Sequence, residues 1–255
     1  MRQLFMIAVI SCGVFSFASQ GFADEENGFF TEFTHIDTKR WELSNGWSNG
    51  DHQSCEWLAS AATIQKQRLH MELSARAGKV RPIACPEIHT RTRLGFGLYE
   101  TRMRAAAGSG LNTAFFTYIG PPVGVPTWDE IDFEFLGKDP STVQINYYVN
   151  GDGHHGVIIP LGFDATKALH HYAIDWAKDK IRWYIDGKLV HETPKDTVLP
   201  HTPARLYLSL WSGSATVDDW LGPFHYTAPV SAEFAWVGFT PAGKSCLFPQ
   251  SQSCR

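Results

Sequence analysis

Few windows of this 255-residue chain hold a helical period for more than two turns, which excludes a helical architecture. A strong excess of charge is also missing. The formal net charge of −4 gives neither nucleic acid nor an anionic membrane surface much to bind. The chain has no C-x-x-C pair, so a redox motif or a thiolate metal site has no support. With no repeat of solenoid length and no low-complexity linker, nothing divides the chain into modules. Apolar runs long enough to span a bilayer are absent as well; the one at the N-terminus is short and is broken by Ser, Cys and Gly.

That N-terminal segment, MRQLFMIAVISCGVFSFASQGFA, has one positive charge at Arg2, an apolar run from Leu4 and the small-residue ending Gly21-Phe22-Ala23. Residues 1–23 therefore read as a secretory signal peptide cleaved after Ala23. Val9-Ile10-Ser11-Cys12 loosely resembles a lipoprotein cleavage site, but the apolar run continues past Cys12. The expected product is residues 24–255, a single secreted domain that stays free of the membrane once the signal is removed. Four cysteines remain in it, Cys55, Cys85, Cys246 and Cys254, an even number suited to an oxidising compartment. Three pairings are possible. Cys246 and Cys254 enclose only LFPQSQS, which favours a local bridge there and leaves Cys55 for Cys85.

From Phe29 to Thr240 the pattern is one of short β segments with turn punctuation. Examples are GFGLYETRMRA at 95–105, NTAFFTYIG at 112–120, TVQINYYVNGDG at 142–153 and RLYLSLWSG at 205–213. Asp186-Gly187, set between alternating apolar runs, signals a hairpin. Asp164–Leu169 is expected to form one short helix. The reading is all-β, a single sandwich of two curved antiparallel sheets. Pro and Gly concentrate in GPPVGVPTW at 120–128, a stiff loop suited to a groove rim, where it would position Trp128.

Immediately after that loop comes W-D-E-I-D-F-E-F. Strand alternation puts Trp128, Glu130, Asp132 and Glu134 on one face and Ile131, Phe133 and Phe135 on the other. The apolar face is core. The acidic face must meet water or polar partners, because unpaired carboxylates in a dry interior cost several kcal/mol each. Glu130 and Glu134 leaning over the shorter Asp132 bring their carboxyls within roughly 5–7 Å, a range that overlaps the separation of a retaining glycosidase pair. Asp132 can share a proton with a neighbouring glutamate. Two other readings fit the pattern: exposed acids on a surface strand, and a calcium site of hard oxygen ligands. The neighbouring aromatics favour sugar, whose apolar faces stack on rings.

The run TAFFTYIGPPVGVPTWDEIDFEFLGKDPSTVQINYYVNGDG closely resembles the bacterial lichenases, the endo-1,3-1,4-β-glucanases of glycoside hydrolase family 16. The likeness extends over about Asn45 to Thr240 and includes LGFDATKALHHYAIDWAKDKIRWYIDGKLVH and SLWSGSATVDDWLG. Within the family the chain is similar to secreted glycanases that cut bacterial exopolysaccharides such as succinoglycan. The resemblance implies a concanavalin-like β-jelly roll with an open cleft and a double-displacement mechanism. On that pattern Glu130 is the nucleophile, Glu134 the general acid/base and Asp132 the assisting carboxylate. Asn49, Glu87, Phe116, Tyr118, Trp128, Asn146, Tyr148, Trp211 and Trp220 match sugar-contacting positions, and Cys55 and Cys85 match the family's disulfide.

Departures from the family pattern bear on substrate. His89 stands where lichenases have arginine in C-x-E-x-R, and Ser209 and Ser212 replace the asparagines of N-L-W-N-G. Ala235 precedes Trp236-Val237 where the family has a calcium-binding aspartate, so the structural calcium loses that ligand and no cofactor is required. His52, His89, His154 and His155 would favour an acidic polymer if they lined the cleft and became charged at mildly acid pH. The expectation is a monomeric endo-β-glycanase acting on a glucose-containing polysaccharide, with a non-catalytic carbohydrate-binding jelly roll and a transglycosylase as alternatives.

Overall fold

The computed structural model of the protein describes residues 27–76, 78–120 and 127–254. The expected signal peptide and most of the Pro/Gly-rich loop before Trp128 lie outside the described residues. Seventeen strands are described. In chain order they are β1 (Phe29–Glu32), β2 (Trp41–Leu43), β3 (Glu56–Trp57), β4 (Ala62–Gln65), β5 (Arg68–Leu73), β6 (Ala84–Cys85), β7 (Glu87–Thr90), β8 (Gly97–Arg104) and β9 (Leu111–Tyr118). Then follow β10 (Glu130–Leu136), β11 (Thr142–Tyr148), β12 (Val157–Pro160), β13 (His170–Trp176), β14 (Ile181–Ile185), β15 (Lys188–Glu192), β16 (Arg205–Ser212) and β17 (Val230–Pro241). Two antiparallel sheets carry nearly all of them. One runs β15-β14-β13-β8-β17-β5-β4 with β1 added beside β17, and the other runs β12-β11-β10-β9-β16-β7-β2.

Period-two alternation decides which side chains fill the space between the sheets. Phe115 on β9 and Ile131, Phe133 and Phe135 on β10 turn inward and are buried. Phe133 and Phe135 meet the Tyr172 ring edge-on, with centroids 5.5 and 4.8 Å apart. Each such aromatic contributes roughly 2–3 kcal/mol by leaving water. Trp183 on β14 reaches across the core, and its indole N–H donates to the backbone carbonyl of Asp132 at 3.0 Å. The middle of the acidic strand is thereby held from the opposite sheet.

The hairpin between β14 and β15 turns at Asp186-Gly187, where both residues have positive φ, 49° and 77°. Such a turn matches the twist of the flanking strands. Asp164–Leu169, expected as a helix, is a turn instead. Its Asp164 carboxylate accepts from the Thr166 backbone N–H at 2.8 Å and from the Thr166 hydroxyl at 2.6 Å, and this local bonding competes with helical bonds. The one short α-helix among the described residues is α1, Asp218–Leu221.

Both expected disulfides form, Cys55 with Cys85 and Cys246 with Cys254. The second closes a C-terminal tail that lies on the sheet away from β10. There the fully buried Glu100 accepts from the Ser251 hydroxyl at 2.6 Å and the Gln252 N–H at 2.8 Å. Phe248 of the tail stacks on Phe30 and covers Gly238, where any Cβ would collide with its ring.

Candidate active site

Strand register arranges the cleft face of the seven-stranded sheet as a grid. Glu130 lies opposite Tyr148 on β11 and Tyr118 on β9, and Tyr118 lies opposite Arg205 on β16. The next row is Asn146, Asp132, Phe116, Tyr207 and His89. The third is Gln144, Glu134, Ala114, Ser209 and Glu87. Because alternate residues of adjacent antiparallel strands share a face, three acids spaced by two on β10 become the middle column of a polar and aromatic surface.

Over this grid lies a cavity of about 830 Å³. Its walls include Glu130, Asp132, Glu134, Glu87, Asn49, Phe116, Tyr118, Trp128, Tyr148, Trp211 and Trp220. Of the catalytic and sugar-contacting positions named from sequence, Asn146 alone is absent from the wall. It pairs with Asp132 across β10 and β11 but is only 5% exposed. The chain at Gly156 lies over it; a Cβ built there would stand 4.0 Å from Asn146 Oδ1.

Each glutamate is gripped by nitrogen donors. The Trp128 indole N–H donates to Glu130 at 2.5 Å, and the Trp128 ring stacks on Tyr148 with centroids 4.5 Å apart and planes 6° from parallel. Glu134 accepts from Asn112 Nδ2 at 2.9 Å on one oxygen and from Gln144 Nε2 at 3.0 Å on the other. Gln144 is oriented by Trp220, whose indole N–H donates to its Oε1 at 3.0 Å. Asp132 is nearly inaccessible, and its Oδ2 has no hydrogen-bond partner. A neutral carboxyl tolerates that position better than a carboxylate does.

Burial is the main influence on all three titrations, and it pushes every one of them up. Asp132 is driven well above the usual carboxylate range by burial and then by the charges of Glu130 and Glu134. In Glu130 burial outweighs the Trp128 donor and the Asp132 carboxyl, which favour its ionised form, and pushes it up to about 8. Glu134, opposed by its two amide donors, is pushed up to about 7. The three carboxyls thus titrate as one coupled group with its protons held to high pH, and what distinguishes Glu130 from Glu134 is their donors, an indole and the Asp132 carboxyl on one and two amides on the other.

Glu87 is 4% exposed; burial pushes it up to about 7 against the Ser44 hydroxyl, which donates to it at 2.6 Å. His52 and His89 do line the cavity, but burial lowers both pKa values, so neither welcomes an anion. His154 and His155 are not on the cavity wall. His154 projects into solvent beside Asp152, and His155 stacks on Tyr147. The expectation of a histidine-lined anion site is thus corrected by burial in two cases and by placement in the other two.

Several wall residues were missed from sequence, Asn112, Ser44, Tyr207 and Arg205, and so was Gln144, which bonds Glu134. Asn112 and Gln144 were reachable by extending the period-two pattern back along β9 and β11 from Phe116 and Tyr148. Asp129, also missed, is fully enclosed next to Glu130. It accepts backbone N–H groups of Asn150, His201 and Thr202 at 3.1, 2.9 and 3.0 Å, tying two loops to the start of β10. No group of three or more His, Cys, Asp or Glu side chains among the described residues is placed to hold a metal, and Ala235 on β17 offers only a methyl group. These side chains do not fit a calcium ion anchored by a carboxylate at that position.

Residues 49–234 match the family described as Glycosyl hydrolases family 16. The chain is 42% identical over 227 residues to the endo-1,3-1,4-beta-glycanase ExoK of Rhizobium meliloti (strain 1021), covering 89% of this chain and 84% of that one. It is 39% identical over 239 residues to a beta-glucanase of Bacillus licheniformis, covering 92% and 96% of the two chains. Among solved structures, a prokaryotic beta-1,3-1,4-glucanase (lichenase) from a mouse hindgut metagenome superposes with a TM-score of 0.79 at 38% identity, covering 84% of this chain and 99% of that one. With a jelly roll, an aromatic cleft crossed by three carboxyls and these likenesses over most of its length, the chain belongs to glycosyl hydrolases family 16 and is a glycoside hydrolase.

Proposed function

We propose that the protein is a secreted, monomeric endo-β-glycanase that hydrolyses internal bonds of a glucose-containing polysaccharide with 1,3 and 1,4 linkages, retaining anomeric configuration and needing no cofactor. The observation that carries this reading is the column Glu130, Asp132, Glu134 on one face of β10, with each glutamate held by nitrogen donors inside the aromatic cleft. In the first step Glu134, protonated, gives its proton to the leaving glycosidic oxygen while the Glu130 carboxylate attacks the anomeric carbon. The bond to the leaving sugar breaks and a glycosyl ester on Glu130 forms. Glu134, now ionised, then takes a proton from water, which attacks the same carbon and releases Glu130. Asp132 keeps a proton beside Glu130 and so limits charge repulsion within the trio.

The substrate class follows from the relatives' names together with the open, multi-ring cleft. Trp128 and Tyr148 on one side, and Trp211 and Trp220 on the other, offer faces for several sugars of an internal segment. Two disulfides in one chain support an oxidising, extracytoplasmic destination. The test is activity on mixed-linkage β-glucan by wild type, Glu130→Gln and Glu130→Ala. We expect a fall in polymer viscosity with wild type and loss of turnover by orders of magnitude in both variants. Azide should rescue Glu130→Ala and yield a glycosyl azide of inverted configuration. A Glu130→Gln protein cleaving at near the parent rate would sink the assignment.

A further inference from the structure

We propose that Arg205 and Tyr207 form a subsite for a carboxylate carried by the polysaccharide, close to but not at the bond that is cut. The proposal rests on the glycan-cleft reading above and specifies the substituent the cleft accepts. Its first basis is charge. Among the described residues Arg205 is the one lysine or arginine on the cavity wall, which otherwise bears acids, amides, small hydroxyl side chains, aromatics, the aliphatic Leu43 and Ala114, and two histidines held toward neutrality.

Position gives the second basis. Arg205 lies opposite Tyr118, which lies opposite Glu130, so Arg205 stands two strands from the proposed nucleophile, about 10 Å between Cα atoms. No ion pair joins it to any described carboxylate. Its Nε donates to the Arg91 carbonyl at 3.4 Å, and the side chain also bonds the Tyr207 hydroxyl and is half-buried. A guanidinium held in a sugar cleft without a carboxylate has donors to offer a ligand, and its planar fork fits a carboxylate with two parallel bonds.

A third observation is that two donors converge on one notch. An ideal Cβ at Gly120 would stand 3.5 Å from Arg205 Nη1 and 3.7 Å from the Tyr207 hydroxyl. Gly120 has a φ of +93°, which disfavours any side chain at that position, so residue 120 itself puts nothing between the two groups. The surrounding rim reinforces the sign of the site. Arg91 and Arg93 flank it, Arg93 being fixed by a bond to the Ile119 carbonyl at 2.7 Å. Arg91 engages Glu42 at 3.0 Å. The charges of Glu87 and Glu130 also reach Tyr207, so among the described residues Arg205 and Arg93 are the guanidiniums that stand without a carboxylate partner at this end of an acidic cleft.

The measurement is calorimetric binding of two oligosaccharides to Glu130→Gln protein: a mixed-linkage β-glucan fragment and the same fragment lightly carboxymethylated. The quantity read is the ratio of the two affinities, with Arg205 intact, as Arg205→Ala and as Arg205→Lys. We expect the intact protein to prefer the carboxymethylated fragment. Arg205→Ala should lower that ratio about tenfold or more, the weight of a charge-assisted bond. Arg205→Lys should restore part of it, and 0.5 M salt should shrink it. A ratio that Arg205→Ala leaves unchanged overturns the proposal, as does an equal loss of affinity for both fragments, which would make Arg205 a contact for neutral sugar. Because binding alone is read, these outcomes are separate from failure of the hydrolase reading, which wild-type protein inert on every β-glucan would expose.

Discussion

Replacing Asn112 with leucine removes one of the two amide donors to Glu134 while keeping the side chain's shape. The bond concerned, Asn112 Nδ2 to Glu134 Oε1 at 2.9 Å, favours the ionised carboxylate and opposes the rise caused by burial. A hydrogen bond to a charged group is worth roughly 1.5–3 kcal/mol, and one pKa unit corresponds to about 1.4 kcal/mol. Losing it should raise the Glu134 pKa by about 1–2 units from its position near 7. Water entering from the cavity would compensate part of the loss, so about 1 unit is the expected figure. In the proposed cycle the free enzyme needs Glu134 protonated. The alkaline limb of kcat/KM against pH should therefore move up by about 1 unit in Asn112→Leu, while the maximal rate falls because the second step needs a basic Glu134. Steady-state rates on a soluble β-glucan between pH 5 and 10, with folding checked by circular dichroism, provide the profile. An alkaline limb that stays in place or moves down refutes the assignment of Glu134 as the acid.

Two further predictions test other parts of the molecule. Burial raises the Glu87 pKa from 4.5 to about 7, so the folded state binds that proton more tightly than the unfolded chain does. Its contribution to stability is complete below about pH 4.5 and is lost as pH rises through about 7, at a cost of up to about 3 kcal/mol. Glu87→Gln, which cannot ionise, should lose correspondingly less stability between pH 5 and 8 in urea unfolding; parallel losses in the two proteins would contradict this account. Since Ala235 brings no carboxylate to β17, exhaustive treatment with EDTA should leave Tm and turnover unchanged, and a drop in Tm that added calcium reverses would show otherwise.

Much of the fold was legible because a strand's side-chain period is two. Glu130, Asp132 and Glu134 facing one way with Phe133 and Phe135 facing the other is a local fact, and burial only confirms it. The hairpin at Asp186-Gly187 was equally local, since positive φ at two successive residues limits the turn to a few residue types. Where the reading failed, a nonlocal or competing contact decided. Asp164–Leu169 has helix-forming residues, but the Asp164 carboxylate bonds Thr166 and holds a turn. Asn146 shares the face of Tyr148, yet the chain at Gly156 closes over it.

By itself, the sequence determined the two-faced acidic strand, the even set of cysteines and the all-β pattern, because each depends on spacing along one segment. Tertiary structure alone decided how the acids titrate and what surrounds them. Asn112 and Gln144 come from β9 and β11 to grip Glu134, Trp220 comes from α1 to orient Gln144, and Trp183 reaches from the other sheet to hold the middle of β10. Arg205 lies 75 residues from Glu130 in the chain but two strands away in the sheet. Proton affinity and substrate charge depend on distances across strands, and only folding sets those distances.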